Sequence, residues 1–276
     1  SRRGISLLSG VEGDIATMHP TIKGVDNSNS TGAMLVSFNA NAFVSHGLPV
    51  DSLNAPVTLT EAFSYATALN ELLSDRQRRI RIGDATAVFW TESPTPAEQV
   101  VPSLFAGAWT AESESEDSEL LGKIRSFLQR LRQGKADALL EDLGAPETRY
   151  YILGLSPNRA RISVRFWLTG SIKGLADNLI RHVRAMDVVD AGDTPPTIRE
   201  LLRETAPPKS GWSDEEKIPG PMTAGLTRAV LTGQRYPAAY FSAVLRRIRA
   251  ESFVTPFDEQ KKRGRKDHRR AFAVRA

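Results

Sequence analysis

Residues Arg149 to Leu168 read RYYILGLSPNRARISVRFWL and carry the clearest structural signal in the chain. Two runs rich in β-branched and aromatic residues flank the turn-forming cluster Ser156-Pro157-Asn158-Arg159, and this pattern predicts a β-hairpin. Side chains of a strand alternate between two faces. In the second run, one face carries Ile162, Val164, Phe166 and Leu168, which we expect in the core. The other face carries Arg161, Ser163, Arg165 and Trp167.

The charge on this second face is positive only. A solvated strand face usually mixes both signs of charge, so a polyanion is a natural partner for Arg161 and Arg165. An ordinary solvated outer face is the alternative, and these residues alone do not decide between the two.

The composition is that of a globular protein, with 41% hydrophobic and 25% charged residues and a net charge of +4. The absence of cysteine excludes disulfides and thiolate metal sites, and it fits a reducing cytoplasm. No run approaches the roughly 18 apolar residues that span a bilayer, so we expect no membrane association. The chain starts at Ser1 instead of Met, and it stops in a basic run. We therefore expect an internal piece of a longer polypeptide.

A second hairpin is predicted from Arg79 to Trp90, with its turn at Gly83-Asp84. Arg79 and Arg81 share one face of its first strand and repeat the cationic pattern of the central hairpin.

Residues 1–33 have the composition of loops, and residues 26–32 read DNSNSTG. This polar loop precedes Met34 to Phe38, which we predict to be a short buried strand. Backbone N–H groups and side chains such as Asn27 and Ser28 could follow a phosphate chain, with Lys23 adding charge. A plain surface loop is the alternative.

Several helices are predicted from caps and periodicity. Thr58 and Glu61 form a capping box that opens a helix through Leu73. Its expected core residues are Ala62, Phe63, Ala66, Leu69 and Leu73. Ser171 to Met186 is amphipathic, with Ile172, Leu175, Leu179, Val183 and Met186 on its apolar side. Arg181, His182 and Arg184 lie on the rest of this helix, and we expect His182 at the surface or on a phosphate.

The predicted fold class is α+β, with a mixed or antiparallel sheet built from hairpins, packed helices, and a helical C-terminal part. We place one domain at residues 1–208, with an acidic linker at about 111–119, and a helical segment with a basic tail at 209–276. Further helices are expected at residues 120–143, 197–205, 222–231 and 238–251. From residue 246 onwards the chain has eleven Lys and Arg against four acids, so its positive charge is concentrated at that end.

Catalytic motifs are missing from the sequence. It has no phosphate-binding G-x-x-x-x-G-K-[ST], no G-x-G-x-x-G after a strand, and no G-x-S-x-G elbow. The four histidines lack the i, i+4 spacing of a helical metal pair. We therefore expect a protein without catalytic activity, metal or cofactor.

A known family carries phrases similar to several in this chain. They are MHPTIKGV (residues 18–25), LVSFNANAF (35–43), LNAPV (53–57), AFSYATALN (62–70), IGDATAVFW (82–90), ILGLSPNRARISVRFW (152–167) and LRRIRA (245–250). In this order they resemble the large subunit of the type I-C (Dvulg subtype) CRISPR Cascade surveillance complex. The resemblance covers most of residues 15–250, apart from residues 92–147.

This resemblance implies a non-catalytic subunit of an RNA-guided complex, in which base pairing to CRISPR RNA reads the sequence and protein reads a short flanking motif, the PAM. Such a subunit helps to open target DNA, holds the displaced strand, and takes part in recruiting a separate helicase-nuclease. Its partners would be double-stranded target DNA, the displaced strand, the other Cascade subunits and, through them, CRISPR RNA. Its location would be the cytoplasm.

Phosphate contacts position a nucleic acid without reading its sequence. The candidate nucleic-acid-binding residues are Lys23, Asn27, Ser28, Arg79, Arg81, Arg159, Arg161, Arg165, Arg181 and Arg184. Trp90 and Trp167 could stack unpaired bases, or pack in the core. The alternative function is a protein–protein scaffold module of the complex, whose arginines meet acidic surfaces of partner subunits.

Overall fold

The computed structural model describes residues 2–38, 40–44, 52–75, 78–82, 85–106, 130, 143–158, 160–186, 198–206, 208–209, 212–213 and 217–251. The predicted acidic linker, most of the helical region 120–143, Arg159 and the basic tail after residue 251 lie outside the described residues.

Strands and helices are mixed along the chain, so the α+β prediction is confirmed. The strands are β1 (Arg2–Ile5), β2 (Glu12–Ile15), β3 (Thr21–Ile22), β4 (Ala33–Met34), β5 (Arg79–Ile82), β6 (Ala85–Thr91), β7 (Arg149–Asn158), β8 (Arg161–Ser171), β9 (Pro208–Lys209) and β10 (Trp212–Ser213). The helices are α1 (Leu59–Ser74), α2 (Ala97–Ala106), α3 (Ile172–Ala185), α4 (Ile198–Arg203), α5 (Gly220–Thr232) and α6 (Ala238–Glu251). Short 3-10 turns occur at Asn41–Phe43 and Ser52–Asn54.

One sheet has six strands in the order β3-β4-β8-β7-β6-β5. Both predicted hairpins therefore lie side by side in it. Strand β4 pairs in parallel with β8, with Met34 opposite Arg161, whereas β3 and β4 are antiparallel. The sheet is thus mixed, which is one of the two sheet types predicted from the sequence.

The central hairpin buries one face, as its alternating pattern predicts. Ile162 and Phe166 are in the core, and the Phe166 ring covers Gly154, where any side chain would collide with it. A glycine facing an aromatic ring is a common device in sheets, because the ring fills the space that the missing side chain leaves. The prediction is wrong for Val164, which is 53% exposed although it shares this face.

Two predictions for the N-terminal part are wrong. Residues 1–33 contain a separate two-stranded hairpin, β1–β2, in addition to loops. The strand expected from Met34 to Phe38 is limited to Ala33–Met34, and residues 35–38 are partly buried but not extended in a sheet. Among the described residues, β4 pairs with β8 only where Met34 lies opposite Arg161, and this pairing does not extend to residues 35–38.

Helix α1 begins at the predicted capping box. The Thr58 hydroxyl accepts a hydrogen bond from the Glu61 backbone N–H, and the Glu61 carboxylate accepts one from the Thr58 backbone N–H. Ala62, Ala66, Leu69 and Leu73 are buried as expected. Phe63 is 65% exposed, so its assignment to the core is wrong; at this position the helix presents it to solvent instead of to the sheet.

Residue contacts divide the chain into two compact units, and strands β5, β6, β7 and β8 contribute residues to both. The first unit comprises residues 1–79, 85–88 and 153–167, and the second comprises residues 80–84, 89–152 and 168–276. The sequence-based boundary at residue 208 stays a prediction.

In the second unit, α3 packs against α5, and α4 packs against α2 and α5. The five predicted apolar residues of α3 are all buried. Ser171 caps the helix by accepting a hydrogen bond at Oγ from the Gly174 N–H.

Candidate nucleic-acid interface

The outer face of β8 carries the predicted cationic residues of the first unit. Arg165 is exposed and Trp167 is 50% exposed, whereas their neighbours Ile162 and Phe166 are buried. The alternation therefore displays a guanidinium and an indole two residues apart on the same side of the strand. Trp167 is not a core residue, because half of its side chain is exposed.

Arg161 is held in a fixed position at the start of β8. Its guanidinium carbon lies 4.1 Å from the centroid of the Phe43 ring, a cation–π contact. The adjoining backbone is tied to β4, because the Met34 N–H donates to the Ala160 carbonyl at 3.2 Å. Sequence reasoning missed Phe43, since no local pattern connects residues so far apart in the chain.

The loop between β3 and β4 is braced by its own unit. The Lys23 N–H donates to Asn70 Oδ1 at 2.7 Å, and the Asp26 N–H donates to Thr86 Oγ1 at 2.9 Å. Ser28 bonds the Val25 carbonyl through both its N–H and its hydroxyl. These groups hold the loop in shape, whereas Lys23 and Asn27 are among its exposed residues.

Asn27 adopts a left-handed conformation with φ of 59°, which Asn tolerates better than most residues. It therefore has a clear structural role as a turn residue. A role of Asn27 and Ser28 in binding nucleic acid stays a prediction.

Arg79 has a structural function in the same unit. Its guanidinium donates to the Gly24 carbonyl at 3.2 Å and lies 3.9 Å from Asp26 Oδ1. It therefore fastens the loop to β5. A phosphate would have to compete with these two partners for Arg79.

The second unit carries the other predicted cations. Arg81 is exposed on β5, and Arg181 and Arg184 are exposed on α3. Arg181 donates to the Gly233 carbonyl at 3.2 Å, so part of its guanidinium is used to hold the end of α5.

His182 is not at the surface, and its expected phosphate contact is wrong. It is buried on α3, and its Nδ1 forms a hydrogen bond with the Tyr236 hydroxyl. Burial disfavours the charged imidazolium and lowers the pKa of His182 to about 4. A neutral imidazole adds no positive charge to the helix at pH 7.

Trp90 does not stand alone either. Its ring stacks on Tyr151, with centroids 5.4 Å apart and planes inclined by 22°. Both rings are only partly buried, so together they form a partly exposed aromatic surface of the second unit.

Arg159, the last candidate, lies outside the described residues. Among the described residues, no group of three or more His, Asp or Glu side chains could hold a metal ion. No helix of the described part has the length and apolar content needed to cross a membrane.

Comparison with known proteins agrees with the resemblance of the sequence phrases. No curated protein sequence matches this chain. A family model described as CRISPR-associated protein (Cas_Csd1) matches residues 1–269. The match covers nearly the whole chain, including β8 and the helices of the second unit, and so the chain belongs to the CRISPR-associated Cas_Csd1 family, the large-subunit family of the type I-C Cascade complex.

Proposed function

We propose that this chain is part of a non-catalytic large subunit that holds target DNA beside the PAM in a type I-C CRISPR surveillance complex. Family membership supports a place among the Cascade subunits. The outer face of β8 supports contact with nucleic acid, because an exposed Arg165 and a half-exposed Trp167 follow each other on one side of a rigid strand. This arrangement is the observation on which the proposal rests.

The two side chains would act in different ways. A guanidinium binds phosphate with charge-assisted, often bidentate hydrogen bonds. An indole stacks on a base of any sequence, which is worth about 1–3 kcal/mol per base in single-strand binding proteins. Together they suit a strand that has left its duplex, so the proposed roles are duplex opening and stabilisation of the displaced strand.

Further parts of the proposal follow from the family. The guide RNA reads the target sequence, and this subunit meets it through other subunits. A separate helicase-nuclease cuts the DNA after recruitment by the complex, which works in the cytoplasm. No cofactor is required for these roles.

The alternative function is a protein–protein scaffold module without DNA contact. It is favoured by the internal contacts of two candidate arginines, since Arg79 holds the Gly24 loop and Arg161 lies on Phe43. Arginines that are already engaged within their own unit are suited to shaping a surface for another protein.

Salt-dependent binding separates the two functions. The double variant Arg161→Ala/Arg165→Ala would be placed in the complete protein and in the assembled complex with its guide RNA. Binding of a labelled target duplex would then be measured over a range of salt concentrations. Each lost phosphate contact should reduce the slope of log affinity against log salt by about 0.7 to 0.9. The Arg228→Ala variant, at an exposed arginine of α5, is the matched control and should keep the parental slope.

An unchanged slope and affinity in a normally assembled double variant would reject the proposed role of β8. Loss of assembly, detected by size-exclusion chromatography, together with unchanged DNA contact by the remaining material would favour the scaffold function.

A further inference from the structure

We propose that Phe43 stacks on an unpaired base of the displaced strand, and that Phe43 and Trp167 mark the two ends of a path for this strand along the outer face of β8. The inference rests on the proposed function, because it assigns a further contact to the same face of the same strand. Phe43, Arg161, Arg165 and Trp167 all belong to the first unit.

Phe43 is an exposed aromatic residue on a short turn. It ends the 3-10 turn Asn41–Phe43 that follows β4, and it is 44% exposed. Its N–H donates to the Ala40 carbonyl at 2.9 Å, and none of the three turn residues is buried. A single exposed apolar ring is ordinary by itself, so the surroundings of the ring decide what it can bind.

A guanidinium group lies against this ring. The guanidinium carbon of Arg161 is 4.1 Å from the centroid of the Phe43 ring, and this contact places positive charge beside the ring. Arg161 begins β8, and Met34 of β4 lies opposite it in the ladder. The Phe43 ring is therefore attached to the first residue of the strand whose outer face carries Arg165 and Trp167. A ring that is held in place loses less conformational entropy on stacking than a mobile one does.

The charge around Phe43 favours a polyanion. The two segments that meet here, residues 33–44 and 153–167, contain three arginines and no Asp or Glu. An aromatic ring among cations suits an unpaired nucleic-acid strand, because its bases stack on rings while its phosphates stay close to positive charge. An apolar protein partner would instead bury guanidinium groups, which is costly.

The spacing along β8 fits an extended strand of several nucleotides. Side chains alternate along a β-strand, so Arg161, Ser163, Arg165 and Trp167 lie on one side of β8. A strand rises about 3.3 Å per residue, which places residues 161 and 167 about 20 Å apart. An aromatic ring thus lies near each end of this segment, with the exposed Arg165 between them. In the proposed path the two rings hold bases and Arg165 meets the phosphates between them.

The contact between Phe43 and Arg161 has a simpler explanation, in which the ring only positions the guanidinium. The ring would then matter for any target through the phosphate contact of Arg161, whether or not a base lies beside it. Stacking, in contrast, depends on the presence of one particular base. Removal of single bases from the DNA therefore separates the two roles.

The test uses the complete protein, as parent and as Phe43→Ala, assembled into the complex with its guide RNA. Each complex would be titrated with target duplexes whose displaced strand carries one abasic site, which is moved one nucleotide at a time. Phe43→Tyr keeps an aromatic ring. Phe63→Ala is the matched control, because Phe63 is an exposed phenylalanine of the same unit.

On the intact target, Phe43→Ala should lose roughly tenfold or more in affinity, whereas Phe43→Tyr and Phe63→Ala should bind like the parent. At one abasic position the parent should lose the same factor, and Phe43→Ala should lose nothing further, because the ring and the base form one contact. The slope of log affinity against log salt should be unchanged in Phe43→Ala, since the ring meets no phosphate.

Parental affinity of Phe43→Ala on the intact target would overturn the inference. So would a loss of affinity that is equal at every abasic position, because it would show that the ring acts only by holding Arg161. If Arg161→Ala/Arg165→Ala lowers the salt slope alongside either of these results, the proposed DNA contact of β8 stands while the stacking on Phe43 fails. The two failures are therefore distinguishable.

Discussion

At the scale of single residues, strand alternation is readable from sequence because a period of two is a local property. It correctly assigned Ile162 and Phe166 to the core and Arg165 to the outside. It failed for Val164, which is exposed because side-chain burial also requires an element that covers the strand at that position. The prediction for Phe63 on α1 is wrong for the same reason. Helical spacing indicates which residues share a face of the helix, but it does not show which element packs against that face.

A measurement of the free energy of unfolding can test whether an arginine has a structural role in the fold. Arg79→Ala should lower the free energy of unfolding by about 1 kcal/mol, because it removes the hydrogen bond to the Gly24 carbonyl and the nearby charge of Asp26. The arginine is about one-third exposed, so the ion pair with Asp26 adds little. Urea denaturation should show a lower midpoint with an unchanged m-value.

Arg228→Ala serves as the comparison, since this arginine is exposed on α5, and its effect should stay within about 0.5 kcal/mol. If Arg79→Ala is no more destabilising than Arg228→Ala, then the loop between β3 and β4 does not depend on Arg79.

At the scale of elements, helix caps were the reliable signals. The Thr58–Glu61 capping box and the Ser171 cap fix where two helices start. The turn predicted at residues 156–159 is wrong for residues 156–158, because strand β7 continues through Asn158. The β1–β2 hairpin was not predicted because its short strands, RRGI and EGDI, are charged and rich in glycine. Gly10, with φ of 73° in its turn, was the available signal.

Helix α3 and the turn after α5 are joined by a polar contact that sequence could not show. Asn178 donates to the Leu231 carbonyl at 2.8 Å, and Arg181 donates to the Gly233 carbonyl. Gly233 ends α5 with φ of 67°, and a side chain there would collide with both Asn178 and Arg181. His182 of α3 also forms a hydrogen bond with the hydroxyl of Tyr236, which follows this turn.

The buried His182 predicts a pH dependence of stability. Its folded pKa of about 4 lies below the ordinary value of 6.5, so the unfolded chain binds more protons between these values and stability falls as the pH falls. Between pH 7 and pH 5 the loss should be about 2 kcal/mol. The variant His182→Phe should lack this part, which chemical denaturation at several pH values would show.

Tyr236→Phe provides the control. It removes the hydrogen bond to His182 but leaves the imidazole buried, and burial is the cause of the lowered pKa, so the pH dependence should persist. His19, whose pKa is also lowered by burial, contributes equally to all three proteins. Parallel pH profiles of the parent and His182→Phe would show that His182 is already accessible to protons in the folded state.

At the scale of the whole molecule, the resemblance carried by an ordered series of phrases was confirmed by the family model over residues 1–269. The fold class was also predictable, since hairpins and amphipathic helices have distinct periods. The partner of each arginine could not be predicted from the sequence, because these contacts join residues that are distant in the chain. Examples are the contacts of Arg79 with Asp26 and of Arg161 with Phe43. Sequence composition therefore identified a cationic strand face, and structure is needed to rank the residues on it.

The central claim is that the outer face of β8 meets nucleic acid in the assembled complex. The most direct measurement is photocrosslinking with p-benzoyl-phenylalanine in place of the half-exposed Trp167, and separately in place of Phe241 as the control. We predict a crosslink from position 167 to the target DNA and none to DNA from position 241. A crosslink from position 167 to protein subunits alone, in a complex that has bound its target, would contradict the claim.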